Sequence, residues 1–179
     1  RGTSVYLVDR VVPMLPEVLS NGICSLNAGE DRFTLSCSME IDKKGKVISS
    51  EIYKGIIKVT ERMSYTDVQK IIDASDEVTL KRYQPYIQEF KNMEELAIIL
   101  KRIEEGYLNL DIPESKIDLD IDGHVTNISK YETTFAHEII EQFMLTANET
   151  IAEKFFWLEA PFIYRVHEQP DLEKVQELN

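Results

Sequence analysis

The sequence predicts an α+β fold, and three patterns carry that expectation. Phe33 to Ile41 alternates strictly, with Phe33, Leu35, Cys37, Met39 and Ile41 on one face and Thr34, Ser36, Ser38 and Glu40 on the other. That is the period of a strand covered on one side. Ile117-Asp118-Leu119-Asp120-Ile121 alternates again and turns at Asp122-Gly123. Phe135, Ile139, Phe143, Ala147, Ile151 and Phe155 recur at helical spacing and make one apolar stripe. Hairpins mixed with helices, including one long central helix, describe antiparallel strand pairs packed against helices, in a single domain over residues 1–179.

Taken in order, Val5 to Val8 is a short strand. Val11 to Leu19 holds Pro13 and Pro16 and is expected to be irregular or a single helical turn. After the Phe33–Ile41 strand, Lys43-Lys44-Gly45-Lys46 is a turn of solvated lysines, and Val47 to Val59 returns as the partner strand. Ser64 caps a helix running to about Ala74, with Val68, Ile71 and Ile72 inward. Residues 75–85 are polar and end at Pro85, which reads as a connection. Ile87 to Glu105 is helical by the spacing of Phe90, Met93, Leu96, Ala97, Leu100 and Ile103, with Gly106 as its terminator. The second hairpin returns through Val125 and Ile128. The longest helix covers residues 131–158, Phe162 to Val166 is a strand, and residues 171–178 begin a last helix.

Composition narrows the function classes. The 179 residues are 43% hydrophobic, enough for a sizeable core, and no apolar run approaches the roughly 20 residues needed to cross a bilayer. There is no basic start followed by an apolar stretch of the secretory kind. Cys24 and Cys37 form no CxxC pair, so both are expected to be reduced and buried, in a cytoplasmic setting. In that setting and within a helix, the Asn148-Glu149-Thr150 acceptor pattern carries no meaning. Seven glycines include no phosphate-cradling loop and no dinucleotide fingerprint, so no small-molecule cofactor is expected. The net charge of −12 argues against nucleic-acid binding, which ordinarily needs a basic surface.

Two local motifs suggest metal chemistry and fall short of it. Asp118-Leu119-Asp120-Ile121-Asp122-Gly123 matches the first half of a calcium loop, but the twelfth position is Ser129 and the flanks alternate like strands. An acidic hairpin is the better reading. His137-Glu138-Ile139-Ile140-Glu141 resembles a zinc-protease helix with Glu in place of the second His, and His124 and His167 do not complete a ligand set. A polar helix face is the better reading. Eight tyrosines (Tyr6, Tyr53, Tyr65, Tyr83, Tyr86, Tyr107, Tyr131 and Tyr164) are candidates for stacking on bases, against the commoner role of partly buried packing.

Several segments together carry a family resemblance. They are Arg1-Gly2-Thr3-Ser4-Val5-Tyr6-Leu7 with Pro13-Met14-Leu15-Pro16, Asn21-Gly22-Ile23-Cys24-Ser25-Leu26-Asn27, Asp31-Arg32, Glu61 to Val68, Glu138 to Asn148, and Tyr164-Arg165-Val166-His167-Glu168. In this order they resemble the catalytic (RNB) domain of the ribonuclease II and ribonuclease R family, nearest to its bacterial ribonuclease R-like members. The resemblance implies an internal portion of a processive 3′→5′ exoribonuclease that degrades single-stranded RNA to nucleoside 5′-monophosphates. It also implies magnesium in the parent enzyme, held by an aspartate cluster before Arg1, and a catalytic arginine loop beyond the region that ends here. No catalytic residue and no metal ligand is then expected within this chain. The resemblance assigns substrate contacts to Tyr6, which would pack on the 3′-terminal base, to Glu141, which would meet the terminal nucleotide, and to Leu110, where the family often has a clamping phenylalanine. It implies that the chain alone is inert. The alternatives are a non-catalytic binding or scaffold module of RNB-like shape, and an acidic interaction domain with no nucleic-acid role.

Overall fold

The computed structural model describes residues 2–101 and 114–166. The buried apolar side chains are Ile71, Tyr83, Ala97, Leu100, Ala136 and Ile139, so the core among the described residues is helical. It lies where helices α1 (Tyr65–Ile72), α3 (Ile87–Lys101) and α4 (Phe135–Trp157) meet. Two long hairpins flank this core, and the expected α+β class with antiparallel pairs is observed.

At the N-terminus β1 (Val5–Tyr6) pairs with β2 (Val11–Val12), opposing Tyr6 to Val11. The strand expected over Val5–Val8 is only two residues long, because Leu7 N–H already bonds Arg10 O at 2.8 Å and closes the turn. The proline-bearing stretch gives β2 and then a π-helical turn at Val18–Ile23 with no buried residue, so Cys24 at its end is exposed and Cys37 on the next strand only half-buried, where burial of both was expected. Pro16 O opens that turn by accepting from Leu19 and Ser20 N–H at 2.9 and 3.0 Å.

Strands β3 (Asp31–Ile41) and β4 (Val47–Lys58) run antiparallel in register from Asp31↔Lys58 to Ile41↔Val47, with a bulge at Glu40/Ile41. Asp42 builds the turn: its Oδ1 accepts from Lys44 N–H at 2.8 Å and Lys46 N–H at 2.9 Å, while Gly45 takes φ +87°, a left-handed conformation that favours glycine. The expected covered face is realised only at the turn end. Cys37, Met39 and Ile41 are half-buried, but Phe33 is 88% and Leu35 73% exposed. The helical body reaches only the turn half, where Thr150 Oγ1 lies 3.3 Å from Met39 Sδ and Lys154 Nζ donates to Ser50 O at 3.0 Å.

Ser64 caps α1 as expected, its hydroxyl accepting from Asp67 N–H at 3.1 Å. The polar stretch after it is not a plain connection: α2 (Glu77–Arg82) forms there, followed by a 3-10 turn at Gln84–Tyr86. Asp76 nucleates α2 by accepting from Val78 N–H at 3.3 Å and Thr79 Oγ1 at 2.5 Å. Helix α3 starts where predicted. Its expected continuation to Glu105 with the Gly106 stop, the helix at 171–178, and Leu110 and His167 lie outside the described residues.

Strands β5 (Ser115–Leu119) and β6 (Val125–Lys130) form the second hairpin, with a bulge at Asp118/Leu119. Its turn repeats the Asp42 device. Asp120 Oδ1 accepts from Asp122 N–H at 3.0 Å and His124 N–H at 2.8 Å, and Gly123 takes φ +84°. The half calcium-loop motif is therefore a hairpin turn. Along α4 the expected stripe is largely half-buried. The deepest positions are Ala136, Ile139, Gln142 and Thr150, a line one residue off the predicted one except at Ile139. Residues Phe162 to Val166 pair with no strand among the described residues, contrary to expectation. Phe162 instead stacks on Phe155 at 4.8 Å, because ring packing on α4 takes the place of a ladder.

Candidate nucleic-acid interface

Two helix starts converge on one side of the core. Ser64 opens α1, which puts Arg62 and Tyr65 at its entrance. Thr134 opens α4, which puts His137 on its first turn. The two starts are tied together by Gln69 of α1, whose Oε1 accepts from Ala136 N–H at 3.0 Å and so satisfies one of the unpaired amides of the α4 terminus. The base of the β5–β6 hairpin closes a third side. Between them lies a cleft of about 1320 Å³.

The cleft concentrates what the whole chain lacks. Five cationic side chains line it (Arg62, Lys70, Arg82, Lys116 and Lys130) against three acidic ones (Asp67, Asp73 and Glu132), in a chain of net charge −12. Lys70 leans on Asp76 at 3.6 Å and Lys116 on Asp118 at 3.2 Å. The hydrogen bond from Lys116, then that from Asn127, holds the Asp118 carboxyl below its usual range. Arg82 lies over the Tyr83 ring at 4.8 Å. Burial pushes the Tyr83 phenol above its usual range, and its hydroxyl donates to Asp67 Oδ2 at 3.4 Å. Tyr83 is thus a core residue and not a free stacking platform.

Tyr65 and Tyr131 remain available to the cleft, 44% and 43% exposed. His137 lies between them. Its ring stacks on Tyr65 with centroids 3.9 Å apart and planes at 16°, and meets Tyr131 edge-on at 6.0 Å. Its Nδ1 takes the Thr134 N–H at 3.1 Å, and its Nε2 lies 3.3 Å from the Tyr131 hydroxyl. With both ring nitrogens engaged and Glu138 bound by Lys101 at 2.6 Å, the zinc-like motif on this helix is a polar face.

The residues that the resemblance nominated are placed less centrally. Tyr6 is on the β1–β2 ribbon, 79% exposed, and Glu141 is exposed on α4; neither lines the cleft. Glu141 lies one helical turn beyond His137, on the same face of α4. No hydrogen bond, ion pair or ring contact engages the Tyr6 ring or the Glu141 carboxylate among the described residues. Leu110 is outside them. The sequence marks Tyr65 and Tyr131 only as two of eight candidate tyrosines, and His137 only through the zinc-protease-like motif, not as a partner of those rings. The spacing Thr134-x-x-His137 was a usable signal, since it is the capping-box spacing with histidine in the place of the usual Glu or Gln.

Among the described residues one group of metal-type donors comes together: Asp120, Asp122 and His124, with ligand atoms within 4.8 Å of one another and all three exposed. Asp120 Oδ1 already serves two backbone N–H groups there. The group sits at the tip of the β5–β6 hairpin, about 15 Å of strand from the cleft end. It does not offer the cleft the aspartate cluster that RNA hydrolysis by magnesium would use.

Comparison with known proteins decides the family. Residues 1–179 match the RNB domain family. The chain belongs to that family. It is 45% identical over 181 residues to Ribonuclease R of Thermotoga maritima and 49% identical over 178 residues to Ribonuclease R 1 of Lactococcus lactis. These alignments cover 99% and 98% of this chain but only 25% and 22% of those relatives, so the chain spans about a quarter of their length. Among solved structures, the fold is similar to that of Mycoplasma genitalium RNase R in complex with ribose methylated single-stranded RNA. The TM-score is 0.87 at 31% identity, over 98% of this chain and 28% of that one. No helix of the described residues is long and apolar enough to cross a membrane.

Proposed function

We propose that this RNB chain forms part of the substrate path of a processive 3′→5′ exoribonuclease that shortens single-stranded RNA to nucleoside 5′-monophosphates, in the cytoplasm. The observation that carries this reading is the cleft: five cations and two half-exposed tyrosines gathered on one concave surface of an acidic chain. Arg62, Lys116 and Lys130 meet phosphates there, and Tyr65 and Tyr131 meet base or ribose faces, a mode of contact that tolerates any sequence. The RNA bound to the Mycoplasma relative supports the same assignment.

Tyr6, Glu141 and Leu110 are proposed as further substrate contacts. An exposed tyrosine ring suits a terminal base, and an uncommitted carboxylate suits a ribose hydroxyl, which separates RNA from DNA. Magnesium, when bound in the parent, activates water and stabilises charge on the leaving oxygen. The described residues supply no aspartate cluster at the cleft, so no hydrolytic step is assigned to them. On this reading the chain alone binds RNA and does not cut it. A 5′-labelled oligouridylate incubated with the purified chain and magnesium is expected to remain full length while its anisotropy rises. Ladder formation that survives removal of contaminating nuclease refutes the inert reading, and an unchanged anisotropy refutes the cleft as an RNA surface. A non-catalytic binding module is the second reading. Full-length parent protein that binds single-stranded RNA but never trims it would establish that reading.

A further inference from the structure

The described surface offers three features that the proposed function does not absorb: the bare apolar face of the β3–β4 hairpin, the acidic hairpin tip, and the engaged histidine between the two cleft tyrosines. The histidine carries an argument furthest. We propose that His137 is a positioning residue, whose neutral ring, protonated on Nε2, holds Tyr65 and Tyr131 together as one wall of the cleft. This rests on the reading of that cleft as an RNA surface.

The tautomer follows from the partners. A backbone N–H can only donate, and Thr134 N–H points at Nδ1 from 3.1 Å, so Nδ1 must present its lone pair. A neutral imidazole then carries its proton on Nε2, which donates to the Tyr131 oxygen at 3.3 Å. The Thr134 hydroxyl, 3.0 Å from Nδ1, competes with that N–H for the one lone pair and holds the ring at the same end. The ring plane is fixed at both ends, and Tyr65 lies flat on it at 3.9 Å. One side chain thus caps α4, orients Tyr131 and supports Tyr65.

Protonation works against this arrangement. A proton on Nδ1 leaves Thr134 N–H without its acceptor, and a cation on the first turn of α4 sits at the unfavourable end of the helix dipole. Attraction of an imidazolium to the Tyr65 face opposes these two effects without restoring the cap. The charged and titratable groups that line the cleft with His137 are Tyr65, Asp67, Lys70 and Asp73 on or just after α1, Arg62 before it, Arg82 and Tyr83 at the end of α2, Lys116 and Lys130 at the hairpin base, and Tyr131 and Glu132 after β6, while Glu138 and Glu141 flank it in sequence on α4. None of these types ordinarily titrates between about pH 5.5 and 7.5, so a change in that interval belongs to histidine. The sequence has three, and replacing His124 and His167 by Gln leaves His137 as the sole one.

The experiment uses that H124Q/H167Q background and an oligouridylate labelled with tetramethylrhodamine, whose emission does not change over this pH interval. Binding is expected to weaken on acidification from pH 7.5 to 5.5, although a new positive charge in the cleft would by itself strengthen it. H137Q separates the two roles, since Gln at this position keeps the capping acceptor but has no ring to stack. It is expected to keep the parent melting temperature, bind about fivefold or more weakly at pH 7.5, and lose the pH dependence, given typical aromatic stacking contributions. H137F keeps a ring and loses the cap, and is expected to melt lower. Tighter binding at pH 5.5, or H137Q binding as tightly as its parent, overturns the proposal. Nitrogen-15 long-range spectra of the free chain give an RNA-independent reading. They are expected to show the Nε2–H form, with Tyr65 ring resonances that move as His137 titrates. An Nδ1–H form, or Tyr65 resonances indifferent to H137Q, overturns the proposal even if the chain binds no RNA. RNA-binding failure with the expected spectra would overturn the functional reading alone.

Discussion

Salt dependence gives the sharpest test of the cleft. Each phosphate neutralised on a single strand contributes about −0.7 to the slope of log affinity against log salt. All five lining cations engaged would give about −3.5. If the Lys70–Asp76 and Lys116–Asp118 pairs persist, the slope shrinks by about 1.4, to about −2. Raising KCl from 50 to 200 mM should then weaken oligouridylate binding by roughly 20- to 100-fold. The chain's remaining acidic surface adds little at these salts, because charges more than about 10 Å away are largely screened near 0.1 M. Arg62→Gln removes one cation that holds no ion pair among the described residues, and should flatten the slope by about 0.7. Lys44→Gln, on the β3–β4 turn and outside this cleft, should leave it unchanged. Anisotropy titrations at four salt concentrations measure all three slopes. A slope shallower than −1 for the unaltered chain, or equal losses from R62Q and K44Q, would refute the assignment of phosphate contacts to this surface.

Three further outcomes follow from the fold. Ile71→Ala, at a fully buried position where α1 meets α3 and α4, should cost about 2–5 kcal/mol in urea denaturation. Asp76 is held below the usual carboxylate range, first by its hydrogen bond from Thr79, so its contribution is full above the ordinary carboxylate pKa and fades as pH falls through its lowered value. Asp76→Asn should therefore melt lower than the parent at pH 7 and converge with it in strong acid, as followed by circular dichroism. Phe33, Leu35 and Ile56 form a bare apolar face on one side of the β3–β4 hairpin, 88%, 73% and 65% exposed. Replacing Phe33 and Ile56 by Ser should reduce concentration-dependent self-association in sedimentation velocity, since exposed apolar patches of this kind drive association.

The bare hairpin face shows where sequence reading stops. Alternation over Phe33–Ile41 correctly put five apolar residues on one side, because side-chain direction is a local property of extended backbone. What covers that side is not local: α4 reaches only the turn half, and no described element lies over Phe33. The same distinction runs through the rest of the chain. The caps at Ser64 and the hairpin turns at Gly45 and Gly123 depend on neighbours a few residues away and were legible. Helix α2 was missed because its only large apolar residues are Val78, 77% exposed, and Leu80, so no stripe announces it; Asp76 and Thr79 define its start instead. The cleft is the extreme case. Arg62, Lys116, Tyr131 and His137 come from the approach to one helix, a strand, a loop and the start of another helix, and no spacing in sequence relates them. The formal charge of −12 argues against a nucleic-acid surface only as a sum over the chain, and a sum carries no geometry. The cleft gathers five cations and three acids beside flat rings, a local balance opposite in sign to the total, and it is this local field that a ligand in the cleft would meet.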